Sequence, residues 1–152
     1  MKKFINLICL VLVFTLVACG SNGVVSYDKK KNKKLSEEQL IKKFIKLNAE
    51  YNQNEEIEQV IEQTDCSTIN CAEFRLTMEN IFDTYDLKYE LISVKILEIT
   101  SNKAEVIVTQ KTTKVNGPEF RDNKGEFLHT LIKVDNNWKF KNTKVNKVEY
   151  LD

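Results

Sequence analysis

The residue with the most versatile chemistry in this 152-residue chain is its single histidine, His129. An imidazole titrates near neutrality and can act as acid or base. His129 alternates with Phe127 and Leu131, while Leu128, Thr130, Ile132 and Val134 form the more apolar set. That pattern predicts an outer or mixed face and a structural or solvated role. Asp83, Tyr85, Asp86 and Tyr89 cluster at an expected helix-to-strand junction. Tyr85, Asp86, Tyr89 and His129 could line the mouth of a cavity, although turn and cap roles explain the Asp and Tyr residues equally well. One histidine leaves a hydrolase triad or a metal cluster without enough partners. With only four glycines, no phosphate-binding loop is present. No catalytic residue, metal ligand or cofactor is therefore assigned.

The four cysteines divide by location. Lys2 and Lys3 precede an apolar run from Phe4 to Val17, broken only by Asn6, Cys9 and Thr15. A positive start, a short apolar stretch and a small residue before the cut form a secretory signal. The stretch then ends in Leu16-Val17-Ala18-Cys19, followed by the small Gly20 and Ser21. This ending resembles the lipobox of bacterial lipoproteins. The resemblance implies a diacylglyceryl group on Cys19 and cleavage just before it. Two acyl chains hold a protein at a membrane where one binds only marginally. Cys66 and Cys71 then remain, five positions apart. In an exported chain they are expected to form one disulfide, with a free or redox-active pair as the alternative.

Charge separates a tether from a domain. Residues 1–34 hold seven of the 23 basic residues and one of the 22 acidic ones, leaving 16 basic and 21 acidic groups beyond. Residues 19–34, with the run Lys29-Lys30-Lys31-Asn32-Lys33-Lys34, read as a basic, disordered tether. Such a segment is attracted to anionic headgroups, though a plain solvated spacer explains it too. Nucleic acid is not an expected partner, because the folded part is acidic and the lysines lack interleaved aromatics.

Residues 35–152 are expected to form one domain. Ser36 and Gln39 can make a capping box, followed by Leu40, Ile41, Phe44, Ile45, Leu47 and Tyr51 at helical spacing. Ile57, Val60 and Ile61 mark a short second helix. Asn70 with Glu73 can open a third, buried through Phe74, Met78, Ile81 and Phe82 and ending across Asp83 to Asp86. From Tyr89 the period becomes two. Ile92, Val94 and Ile96 share one face and Leu97 and Ile99 take the other parity, which predicts a bulge at Ile96-Leu97. Further strands are expected at Ala104 to Val115, Glu126 to Val134 and Trp138 to about Tyr150, with Arg121 to Gly125 a polar loop. Short turns between long strands imply an antiparallel meander. The fold class is α+β: N-terminal helices on a curved, four-stranded antiparallel sheet.

This order of elements resembles the nuclear transport factor 2-like, or cystatin-like, cone fold. The resemblance rests on Tyr85-Asp86-Leu87-Lys88-Tyr89-Glu90, on Ala104-Glu105-Val106-Ile107-Val108, and above all on His129 to Phe140 with its Asp135-Asn136-Asn137 turn and Trp138-Lys139-Phe140 step. A strand that relatives carry between the early helices is not apparent. The resemblance implies a conical cavity, used by some relatives for isomerisation, dehydration or cyclisation and by others for binding. No isomerase-type Tyr–Asp–Asp set can be placed here. The leading expectation is a non-enzymatic envelope lipoprotein, anchored extracytoplasmically to a cell or outer membrane, that binds a protein or a small hydrophobic ligand. The alternatives are a lipid-anchored cone-fold enzyme and a phage-exclusion or immunity lipoprotein.

Overall fold

The computed structural model describes residues 35–151. Cys9, Cys19, the signal segment and the lysine tether lie outside the described residues. Helix α1, Glu37–Gln53, opens on the expected capping box: Ser36 Oγ accepts from the Gln39 N–H, and Gln39 Oε1 accepts from the Ser36 N–H. Its Ile41 and Ile45 are buried. Helix α2, Ile57–Glu62, buries Val60, and α3, Cys71–Thr84, buries Met78. Asn70 caps α3 by accepting from the Glu73 N–H, but Glu73 answers through the Asn70 side-chain amide, so the reciprocal backbone bond of a full capping box is missing.

Strands β1 (Asp86–Ile99), β2 (Lys103–Asn116), β3 (Asn123–Val134) and β4 (Asn137–Tyr150) form a meander in the order β1-β2-β3-β4, all antiparallel. The expected α+β class is what the chain adopts. Two strands begin earlier than their apolar patterns predict. β1 starts at Asp86 rather than Tyr89, and β3 takes in Asn123 to Gly125, which pair with Thr112 to Gln110 and with Tyr150 to Val148. Cross-strand pairing, which a single segment does not display, recruits these polar residues.

The sheet curves through extra residues. Ile92 and Leu97 are unpaired in the β1–β2 ladder, Val115 in the same ladder on β2, and Lys141 and Asn146 on β4. The predicted bulge at Ile96-Leu97 is thus present, but the face assignment around it needs correcting. Leu91, Val94, Ile96 and Ile99 pack against the core, whereas Ile92 and Leu97 are about half exposed, at 47% and 48%. Each bulge resets the parity of the strand, so the inward set skips a residue twice.

A second correction concerns β3. Leu131 is fully buried, and Phe127, His129 and Leu131 share its inner face, opposite to the expected Leu128, Thr130, Ile132 and Val134. Register explains this. His129 lies opposite Val106 and Phe127 opposite Val108, and these two valines are buried. Directly opposed residues project to the same face, so the buried valines of β2 carry His129 inward. The core comprises Ile41 and Ile45 from α1 with Ala104, Val106, Val108, Leu131, Trp138 and Phe140 from the sheet. The strand missing from the sequence pattern survives as a stub. Thr64 forms one parallel bridge to Phe140; Phe140 N–H donates to Gln63 O, and Asp65 N–H donates to Phe140 O.

Candidate functional site

A cavity of about 520 Å³ opens between the helices and the inner face of the sheet. The sheet contributes Tyr89 and Leu91, Val108 and Gln110, Phe127 and His129, and Phe140, Asn142 and Thr143. The opposite wall is built by Ile45, Asn48, Ala49 and Asn52 of α1, Val60 of α2, Thr64 and Ile69 of the connecting loop, and Phe74 and Met78 of α3. In a chain with 30% charged residues, no Asp, Glu, Lys or Arg among the described residues lines this space. A second hollow, between α1, α2 and the β3–β4 turn, is instead lined by Glu37, Lys43, Glu62, Lys133, Asp135 and Lys139 among others. Converging amides around an apolar interior single out the first as the candidate site.

His129 is the most perturbed group in the cavity. Its Nδ1 lies 2.8 Å from Thr143 Oγ1, and its ring meets Phe140 edge-on with centroids 5.0 Å apart. Phe127 lies nearly parallel at 6.3 Å. Burial pushes its pKa down to about 4, so the imidazole is neutral at physiological pH. Burial also raises the Tyr89 pKa, with Glu55 adding to the effect, so its hydroxyl stays protonated. Gly125 makes room for the Phe127 ring: a Cβ there would sit 2.5 Å from Cζ of that ring.

Several polar groups in the lining already have partners. Asn48 Nδ2 donates to Gln63 Oε1 at 2.9 Å, and Asn52 Nδ2 donates to Asn48 O at 2.7 Å. His129 Nε2, Tyr89 Oη and the Asn142 side-chain amide have no hydrogen-bond partner among the described residues. The four residues expected at a cavity mouth therefore separate. Tyr89 and His129 line the cavity. Tyr85 instead packs its ring on Phe120 with centroids 5.6 Å apart, and Asp86 pairs with Asn116 at the start of β1. Asn48, Asn52, Gln110, Asn142 and Thr143 were not anticipated. A signal did exist for two of them: Ile41, Ile45, Asn48 and Asn52 follow one helical stripe, so the α1 amides extend the buried face.

The wall carrying Ile69 is pinned. Cys66 and Cys71 form the expected disulfide. Asp65, buried beside it, accepts from Ser67 N–H, Ser67 Oγ and Thr68 Oγ1. The Ser67 hydroxyl bond above all holds the Asp65 carboxyl below its usual range. Among the described residues no cluster of three or more His, Cys, Asp or Glu could hold a metal, and no helix is long and apolar enough to cross a membrane.

Solved structures share this fold. A putative scytalone dehydratase from Novosphingobium aromaticivorans superposes with a TM-score of 0.63 at 16% identity, covering 76% of this chain and 88% of that one. A protein of unknown function with a cystatin-like fold from Nostoc punctiforme gives 0.61 at 12% identity, covering 76% and 94%. At these identities the likeness establishes the nuclear transport factor 2-like, cystatin-like fold alone. In sequence, the anti-sigma-I factor RsgI9 of Acetivibrio thermocellus is 34% identical over 79 residues, which are 52% of this chain and 11% of that protein. The match to the family described as the C-terminal domain of anti-sigma-I factor RsgI9 runs over residues 43–151, nearly the whole described fold, and the chain belongs to that family.

Proposed function

We propose that this protein is a lipid-anchored envelope lipoprotein whose cone domain, residues 35–152, binds a small molecule. Residues 1–18 would be its signal peptide and residues 19–34 its lipidated, basic tether. The observation that carries the binding reading is the open cavity of about 520 Å³, apolar in body and lined by neutral amides, hydroxyls and one imidazole. A cone meant only as packing would be filled by its own aromatic side chains. The family adds a context. RsgI9 is an anti-sigma-I factor, and its C-terminal domain is the part this chain resembles. By that likeness, ligand occupancy here would be reported to a protein partner in a regulatory assembly at the membrane.

Thermal unfolding of the detergent-purified protein against a library of neutral aromatic and alicyclic fragments tests the binding reading. Some fragments should raise the unfolding midpoint, and filling the cavity with Ala49→Trp should abolish the response. A library that leaves the wild-type midpoint unmoved defeats it.

A second reading, a cone-fold enzyme acting on a small hydrophobic molecule, is favoured by the His129–Thr143 pair at the edge of the cavity. It ranks lower for two reasons. A base with a pKa of about 4 is poorly matched to proton abstraction at neutral pH. Among the described residues no carboxylate lines the cavity to orient or charge the imidazole. Conversion of a bound fragment to product would reverse that ranking.

A further inference from the structure

We propose that the cavity selects an uncharged ligand with an apolar body and a hydrogen-bond acceptor, a ketone, ester or ether oxygen, placed to receive the N–H of His129. The inference rests on the small-molecule reading above and narrows it to a chemical class.

Two observations carry it. The first is charge. An ion entering this cavity would shed water and meet no opposite charge, because no Asp, Glu, Lys or Arg among the described residues lines the walls. Burial of an unpaired ion is strongly unfavourable, whereas a neutral molecule loses little. The volume, about 520 Å³, lies within the range of roughly 300–1,000 Å³ that accepts a drug-sized ligand.

The second is the contact between His129 and Thr143. Thr143 Oγ1 lies 2.8 Å from Nδ1, and the Thr143 hydroxyl has no other hydrogen-bond partner among the described residues. In the assigned tautomer the Thr143 hydroxyl donates to Nδ1, and the neutral ring then carries its own proton on Nε2. Nε2 has no acceptor among the described residues, so the ring supplies an unspent donor among Phe127, Phe140 and the apolar wall. A neutral imidazole in such surroundings is a donor without being a cation. It bonds a carbonyl or ether oxygen at little desolvation cost, whereas one neutral N–H does not offset the desolvation of a carboxylate. Thr143 acts through His129 and is a positioning residue.

Four probes of nearly one shape test this by titration calorimetry near neutral pH: 2-acetylnaphthalene, 2-ethylnaphthalene, 2-naphthoate and 2-naphthylmethylammonium. The full-length protein is used in detergent, with Ala49→Trp as the blank for partition into micelles. The ketone should bind about tenfold or more tightly than either ion. It should bind about fivefold more tightly than the ethyl compound, in line with one hydrogen bond. His129→Leu should bring the ketone down to the affinity of the ethyl compound and leave the latter unchanged. Thr143→Val, a change at an exposed position, should weaken the ketone selectively if the leucine variant does not fold. An ion that binds as well as the ketone overturns the inference and leaves the small-molecule reading standing. So does a ketone preference that survives both substitutions. Failure of all four probes to bind defeats the small-molecule reading itself, and this inference with it.

Discussion

At the scale of single residues, His129 shows how one side chain ties stability to pH. Its folded pKa of about 4 lies below the ordinary value of 6.5. Between those values the unfolded chain binds a proton that the folded chain refuses. Stability contributed by the neutral, partly buried ring is therefore complete above about pH 6.5 and is lost as pH falls to about 4. At about 1.4 kcal/mol per pKa unit, the loss amounts to at most about 3.5 kcal/mol. Urea unfolding of the wild type and of His129→Gln across this window should give curves that converge toward low pH. A constant gap between them would mean that the wild-type imidazole titrates normally. The sequence showed that His129 was the one residue able to do this, but not which way it faced. Counting apolar neighbours on its own strand favoured the other face. The deciding information sits on β2, where Val106 and Val108 are buried opposite His129 and Phe127.

At the scale of elements, local signals were legible wherever the interaction is local. The Ser36 and Asn70 caps, the helical stripes, the turn at Asp135-Asn136-Asn137 and the bulge at Leu97 all arise among near neighbours in the chain. Asp135 and Asn136 hold positive φ angles of 49° and 66°, which Asp and Asn tolerate better than most residues. The bulges at Ile92 and Asn146 and the Thr64–Phe140 bridge depend on partners further along the chain, so no single segment declares them. The loop from Thr64 to Asn70 binds the two classes together. Its disulfide is local, yet its backbone clamps β4 at Phe140, and its Ile69 lines the cavity. Replacing Cys66 and Cys71 together by alanine should cost about 2 kcal/mol, as expected for closing a short loop. A drop of roughly 5–10 °C in the unfolding midpoint should follow, and reductant should reproduce it in the wild type but not in the variant. Ligand affinity should weaken in parallel, since the wall carrying Ile69 is released. Leu131→Ala probes the central layer instead. Leu131 is fully buried opposite Ala104 and Phe140, so the truncation should cost about 3 kcal/mol by chemical denaturation. A loss below about 1 kcal/mol would show that the helical layer closes over the gap.

At the scale of the whole molecule, charge and the proposed lipid anchor bear on the same question of how the domain is presented. Residues 35–85, the helical half, carry eleven acidic and four basic residues, while residues 86–151 carry nine acidic and twelve basic. The lysines at positions 29–31, 33 and 34 lie between that domain and Cys19. On the proposed reading, two acyl chains on Cys19 supply the attachment and the lysines add about 1 kcal/mol each near an anionic surface. The two contributions separate by experiment, because salt screens the second and leaves the first intact. The wild-type protein should stay with the membrane fraction in high salt, and intact-mass measurement should find an N-terminus beginning at a diacylglyceryl-modified Cys19. Cys19→Ser should eliminate the lipid mass and either release the domain or leave residues 1–18 uncleaved. Replacing the five tether lysines by glutamine should leave retention unchanged and lower only the affinity of the delipidated domain for anionic vesicles. A Cys19→Ser protein that is cleaved normally and still resists salt extraction would remove the anchor from the proposal. The cavity and its neutral ligand would stand unaffected, since they rest on residues 45–143 alone.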